Sequence, residues 1–317
     1  CHFTGLIRLN NTGLHIPEPA LAHISRTYFE NLGIGLSMDL GATSTNISLS
    51  TVSFRNNQIG LYTAHGGIDI SNCKFSNNVE AGWRLYEPTR KSNIHDSYFS
   101  YNAQYGIWME SSSQPHLFIE TCDFGYNQTG IFSNEDARLT VKCSRFHNNS
   151  MYGIDIKKGQ LNLSSLHLID GNAGGNCAFF NNQTGINMFN SQLFMNEGNN
   201  TFAAHGQWSV HGSLLDCPSC GFMNTSNQVY AANNYWDPVY HSHMWVTRGL
   251  HPSPASFTGS IYPVFTSVCF MEGIDGFPEF THEGIDPWFG KTDPSTNVDD
   301  KLIEESYEQM PLLITNP

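Results

Sequence analysis

Positive charge is scarce in this chain. Lys and Arg together number 15 in 317 residues against 28 Asp and Glu, a formal net charge of −13. Binding to a phosphate backbone rests on clustered cations, so no nucleic-acid partner is expected. Charged residues of either sign make up only 14%, against about a quarter in an ordinary globular protein, which argues against a typical cytosolic enzyme. Long apolar runs are missing too: no stretch approaches the roughly 18 residues that a membrane helix needs, so no membrane span is expected. Nor does a basic segment leading into an apolar one open the sequence as given, and the expectation is a soluble mature protein or a piece of one. What the chain does have is 39% hydrophobic and 13% aromatic residues, enough to bury a core in one large domain or two ordinary ones.

The aromatics are regularly spaced. Phe54, Phe75, Phe99, Phe124, Phe146, Phe179 and Phe202 recur at intervals of 21, 24, 25, 22, 33 and 23 residues. Six of the seven carry an Asn three places later: Asn57, Asn78, Asn102, Asn127, Asn149 and Asn182. Each of these is followed by a Gly and an apolar residue, as in Gly60-Leu61, Gly82-Trp83, Gly106-Ile107, Gly130-Ile131, Gly153-Ile154 and Gly185-Ile186. Within a unit the apolar pattern has period two, as in Ile107-Trp108-Met109, which marks strands and not helices. A unit of about 22 to 25 residues holding three short strands suits one coil of a right-handed parallel β-helix. Coils then stack at about 4.8 Å and like residues form ladders. The Asn column fits that geometry, since Asn tolerates a left-handed turn conformation and its amide can bond the amide one coil away.

These repeats resemble those of the pectin-lyase-like superfamily of parallel β-helices over residues 1–265. The segment Asn233-Asn234-Tyr235-Trp236-Asp237-Pro238 is similar to the element that closes the last coil in secreted surface proteins of Bacteroidota, many of them type IX secretion substrates. Asp237 departs from the Gly usual there. The resemblance implies an extracellular or outer-membrane-surface location, with the secretion machinery as a possible partner, and binding along one lateral face. The paired Asp, GHG and RxK elements of polygalacturonases are missing, and Ala64-His65-Gly66-Gly67 and Ile156-Lys157-Lys158 match them only superficially. The Asp cluster of pectate lyases is missing as well.

Eight cysteines invite a disulfide framework. Cys73, Cys122 and Cys177 each lie two residues before a repeat Phe, and Cys1 stands in the same relation to Phe3, so all four are expected on the inward face. Cys73 and Cys122 are two coils apart, about 10 Å, beyond disulfide reach. Because the ladder motif begins at Cys1, the sequence is expected to start in mid-solenoid. Cys217 and Cys220 form a lone CxxC, read as a local disulfide or two loop thiols. A zinc site would need a second ligand pair, for which His241, His243 and His251 are the nearest candidates. His205 and His211 are expected in turns or at the surface. Beyond Phe265 the repeats stop, Pro residues punctuate the chain, and residues 266–317 carry 11 acidic and 2 basic side chains, 2 − 11 = −9 of the net charge. This segment is expected to be an acidic tail or linker towards a further module, with a short helix over Asp299–Met310.

Columns matter more than linear motifs in a solenoid. Two places after each repeat Gly stand Tyr62, Arg84, Trp108, Phe132, Asp155 and Asn187, expected to point outward. Four successive coils thus present Tyr62, Arg84, Trp108 and Phe132, read either as candidate ligand-binding residues, because sugars are gripped by aromatic faces with polar groups beside them, or as a hydrophobic contact covered by loops or a neighbouring domain. His65, Tyr86, Glu87, Glu110, Glu135 and Lys157 flank them. As catalytic candidates, Glu87, Glu110 and Glu135 on neighbouring coils could lie about 5 to 10 Å apart, as a glycosidase carboxylate pair requires. Three readings stay open: a secreted or surface module binding a glycan or a surface protein in the manner of an adhesin, a polysaccharide lyase or glycoside hydrolase, and a structural spacer of a larger exported protein. No metal or other cofactor is expected, and calcium enters only with the lyase reading.

Overall fold

A computed structural model describes residues 1–5, 11–17, 22–40, 47–111, 116–134, 136–165, 172–195, 198, 200–203 and 205–214, and beyond them the strands Gln228–Tyr230, Tyr235–Trp236, Met244–Arg248 and Ser256–Thr258. The fold is all-β, a right-handed parallel β-solenoid. One coil comprises the strands Ser92–His95, Tyr98–Ser100 and Tyr105–Glu110, and the next comprises His116–Glu120, Asp123–Gly125 and Thr129–Ser133. Each strand pairs in parallel with its counterpart one coil on: Asn93 with Phe118, Phe99 with Phe124, Trp108 with Phe132.

The phenylalanine column fills the interior. Phe29 through Phe202 are fully buried, with neighbouring ring centroids 4.5 to 5.1 Å apart and interplanar angles of 10° or less. Coil spacing and ring spacing agree, so each ring stacks on the one above instead of meeting it edge-on. Phe29 belongs to the column although no Asn follows it at the ladder spacing, and Phe3 stacks on Phe29 at 4.9 Å. At the other end the backbones of Tyr235 and Trp236 pair in parallel with those of Thr201 and Phe202.

The asparagine ladder forms as the spacing predicts. Asn102 is representative: its Nδ2 donates to Asn127 Oδ1 at 3.0 Å and to the Phe75 carbonyl at 3.2 Å, while its Oδ1 accepts from the N–H of Asn78 at 3.1 Å and from Asn78 Nδ2 at 2.9 Å. The left-handed residue, however, is not the ladder Asn but the one before it. Asn56, Asn77, Tyr101, Tyr126, Asn148 and Asn181 have φ between 51° and 58°. The corner is turned one residue earlier, which frees the ladder amide to point inward. A second left-handed corner falls three residues before each Phe, at Thr51, Asn72, Asp96, Thr121, Cys143 and Asn176. Hydroxyl-bearing residues serve this corner, as where Ser97 Oγ accepts from the Cys73 N–H at 3.1 Å.

Cys73, Cys122 and Cys177 are free and buried. Their thiols lie against backbone carbonyls, as where Cys73 Sγ approaches the Ser71 oxygen at 3.2 Å. Burial pushes the Cys73 and Cys177 thiols up to about 12 and the Cys122 thiol well above its ordinary value, so these are inert core residues. Cys1, expected to share their inward face, is instead exposed; its coil pairs with a single described strand at this face. Cys143 is disulfide-bonded. His205, expected in a turn or at the surface, is buried at the position three after Phe202, where other coils carry the ladder Asn. Cys217, Cys220, His241, His243, His251 and the acidic segment 266–317 lie outside the described residues.

Candidate functional site

The outward column is continuous. Backbone register runs from Ser37 to Tyr62, Arg84, Trp108, Phe132, Asp155, Asn187 and His211. Tyr62, Arg84, Trp108 and Phe132 are half-buried, each on its own coil. Their strands turn these side chains outward because the residues on either side, such as Ile107 and Met109, are buried in the core.

Arg84 is the fixed point of the strip. Its guanidinium carbon lies 4.0 Å from the centre of the Trp108 ring, while one nitrogen reaches Glu80 at 3.3 Å and another reaches Glu110 at 3.0 Å. A planar cation over an indole face, held by two carboxylates, loses little further freedom when a ligand arrives. The indole N–H of Trp108 is shielded and makes no hydrogen bond among the described residues, so the ring is held by its faces. Lys157 Nζ sits 5.1 Å from the Phe132 ring centre.

Tyr105 joins this strip, and counting in twos from Trp108 misplaces it. Its ring stacks on Phe132 at 4.9 Å and tilts against Trp108 at 5.3 Å. The alternation breaks at Gly106. A side chain there would run into the Gly130 carbonyl at 2.5 Å and the Phe124 ring at 3.1 Å, so Gly106 and Ile107 both face the core and Tyr105 is turned outward. The repeat Gly was the signal that could have placed it.

Beyond Phe132 the strip becomes polar. Asn187 Nδ2 donates to Asp155 Oδ1 at 2.8 Å, and Asn187 Oδ1 lies 2.8 Å from His211 Nδ1. An ionised Asp155 can only accept; Asn187 must then offer its NH2 to it and its oxygen to His211, whose Nδ1 carries the proton. Burial pushes the Asp155 carboxyl up, against the lowering effects of the Asn187 hydrogen bond and Lys157. Burial also pushes the His211 imidazole down. The Tyr62 and Tyr105 hydroxyls are raised chiefly by burial, so both remain neutral donors and acceptors at physiological pH.

Two of the three candidate glutamates, Glu87 and Glu110, lie on neighbouring coils in different settings. Glu110 is engaged with Arg84 and pairs in register with Tyr86, not with Glu87. Glu87 sits one residue further on, in a left-handed corner with φ 45°, where its N–H donates to the Glu110 carbonyl at 2.7 Å. Glu135 lies outside the described residues. His65 pairs with Asp39, its Nδ1 2.9 Å from a carboxylate oxygen, and its ring meets Tyr86 edge-on at 6.4 Å. Among the described residues no group of three or more His, Cys, Asp or Glu could hold a metal ion, and no helix is long and apolar enough to cross a membrane.

A family model described as a right handed beta helix region matches residues 1–124. No curated protein and no solved structure gives a significant match. The matched region takes in Tyr62, Arg84 and Trp108, whereas Phe132, Asp155, Asn187 and His211 lie on coils beyond it.

Proposed function

We propose that this chain is a secreted or cell-surface β-helix module that holds a glycan along the outward column from Tyr62 to His211. One observation carries the reading. Four large planar groups, Tyr62, Arg84, Trp108 and Phe132, stand on four successive coils in unbroken register, where a solvated solenoid face would bear small polar residues. Aromatic faces interleaved with fixed hydrogen-bonding groups suit the apolar faces and equatorial hydroxyls of sugar rings. The disulfide at Cys143 fits an oxidising compartment. Export by a type IX route, which the Asn233–Pro238 resemblance implies, belongs to the same proposal and is tested by locating the protein in cell fractions with and without that pathway.

The test is retention of the protein on a glycan array together with an assay of the same glycans for new reducing ends or unsaturated uronates. Retention without product supports the module. Product release would favour the polysaccharide-cleaving reading, for which Asp155, with its raised carboxyl on the strip, is a better proton donor than the salt-bridged Glu110. Neither retention nor product would leave the spacer reading.

A further inference from the structure

From the charge arrangement of this face we infer that its ligand is a neutral, hydroxyl-rich polysaccharide lying along the solenoid axis, and not a polyuronate or other polyanion. The inference rests on the glycan-binding reading above and goes beyond it by naming the substrate class.

A polyanion needs cations that are free to meet it, and Arg84, the cation at the centre of the strip, is already matched. Arg84 is bound to Glu80 and to Glu110 and lies flat on Trp108. Lys157 lies over the Phe132 ring beside Asp155, whose carboxyl it influences. Counting both signs, Glu80, Glu110 and Asp155 outnumber Arg84 and Lys157. A carboxylate on every sugar would meet a face of its own sign.

Uncharged hydrogen-bonding groups, by contrast, line most of the corner that leads into the strip. There the backbone carbonyls of Gln58, Glu80, Gln104, Gln128, Met151 and Gln183 each accept from an N–H one coil on, and five of the seven positions from Gln58 to Gln207 carry a carboxamide. Gln104, Gln183 and Gln207 are exposed. A carboxamide both donates and accepts, as a sugar hydroxyl does, and carries no charge that would demand a counterion. Asn187 and His211 continue the same uncharged polarity on the strip itself. The repeat of about 4.8 Å between coils is close to the length of one hexopyranose in an extended chain, so successive sugars would meet successive coils.

Affinity electrophoresis of the full chain through gels containing mixed-linkage β-glucan, xylan, galactomannan, polygalacturonate or chitosan tests the inference. The expected result is retardation by at least one neutral polymer, by a factor that changes less than about twofold between low and high salt because no ion pair is formed. Stronger retardation by polygalacturonate or chitosan than by every neutral polymer, with sensitivity to Trp108→Ala retained, would overturn the neutral class while leaving the glycan face standing. Retardation by none of the five polymers would sink both. The reciprocal experiment is Glu80→Gln with Glu110→Gln, which releases Arg84 and is expected to raise polygalacturonate binding about tenfold at low salt. Unchanged polygalacturonate binding in the folded variant would contradict the claim that these carboxylates exclude polyanions. Glu110→Gln alone serves if the double variant does not fold.

Discussion

A ladder asparagine contributes through groups that have no alternative partner. Asn102 satisfies the Phe75 carbonyl and the Asn78 N–H, both buried where water cannot replace it. Asn102→Ala is therefore expected to cost roughly 1–3 kcal/mol for each group left unsatisfied, and urea unfolding of the variant measures the sum. Asp123 makes a second residue-scale argument. It is buried on the strand Asp123–Gly125 with Arg145 in direct contact and His147 Nε2 at 2.8 Å. Burial pushes its carboxyl up, but the Arg145 guanidinium and the hydrogen bond to His147 outweigh that and hold it below the usual carboxylate range. A depressed folded value means that the unfolded chain takes up the proton first. This stabilisation is thus fully present above about pH 4 and is lost as pH falls through the folded value. Urea midpoints measured downward from about pH 5 are expected to fall more steeply for the native chain than for Asp123→Asn; parallel curves would contradict the assignment. Gly125 makes room for this cluster, since a Cβ there would lie 2.5 Å from the His147 ring.

At the scale of the strand and the coil, the stack is held by repetition, and that is why so much of it was legible. Phe, Asn and Gly recur in a fixed order within each unit, and a residue type that recurs at one place per coil must be answering the same local geometry each time. The inward Phe column, the amide ladder and the buried cysteines follow from this spacing alone. Position along a turn did not follow, because the residue that takes the left-handed conformation varies between Asn and Tyr and leaves no constant letter to read. Phe99→Ala and Phe124→Ala are each expected to cost about 3–5 kcal/mol, since a cavity between two stacked rings cannot close without shifting the coils on either side. Chemical denaturation checks the magnitude, and a loss below about 1 kcal/mol would be out of keeping with rings that bear the stack.

Across the whole solenoid, each coil contacts its neighbours above and below, so a binding face is assembled from residues some 25 positions apart that no linear motif records. The outward column of Tyr62, Arg84, Trp108 and Phe132 could be read by counting from the repeat glycines. Tyr105 could not, because the count fails where Gly106 interrupts the alternation, and the salt bridges that fix Arg84 depend on side-chain reach across coils. Counting from the glycines placed Asp155 and Asn187 in the column, but not the hydrogen bonds that join them to His211 across intervals of 32 and 24 residues. Spacing placed Glu87 and Glu110 on neighbouring coils, where their backbones are hydrogen-bonded, but it did not foresee that one falls on a corner and the other on a strand. The central claim is that the column is an open binding face and not a covered packing surface. Its most direct test is a melting curve and a glycan titration run side by side on Trp108→Ala. An open face predicts binding weakened by roughly 1–3 kcal/mol with a nearly unchanged melting temperature, whereas a lowered melting temperature with binding intact would contradict it.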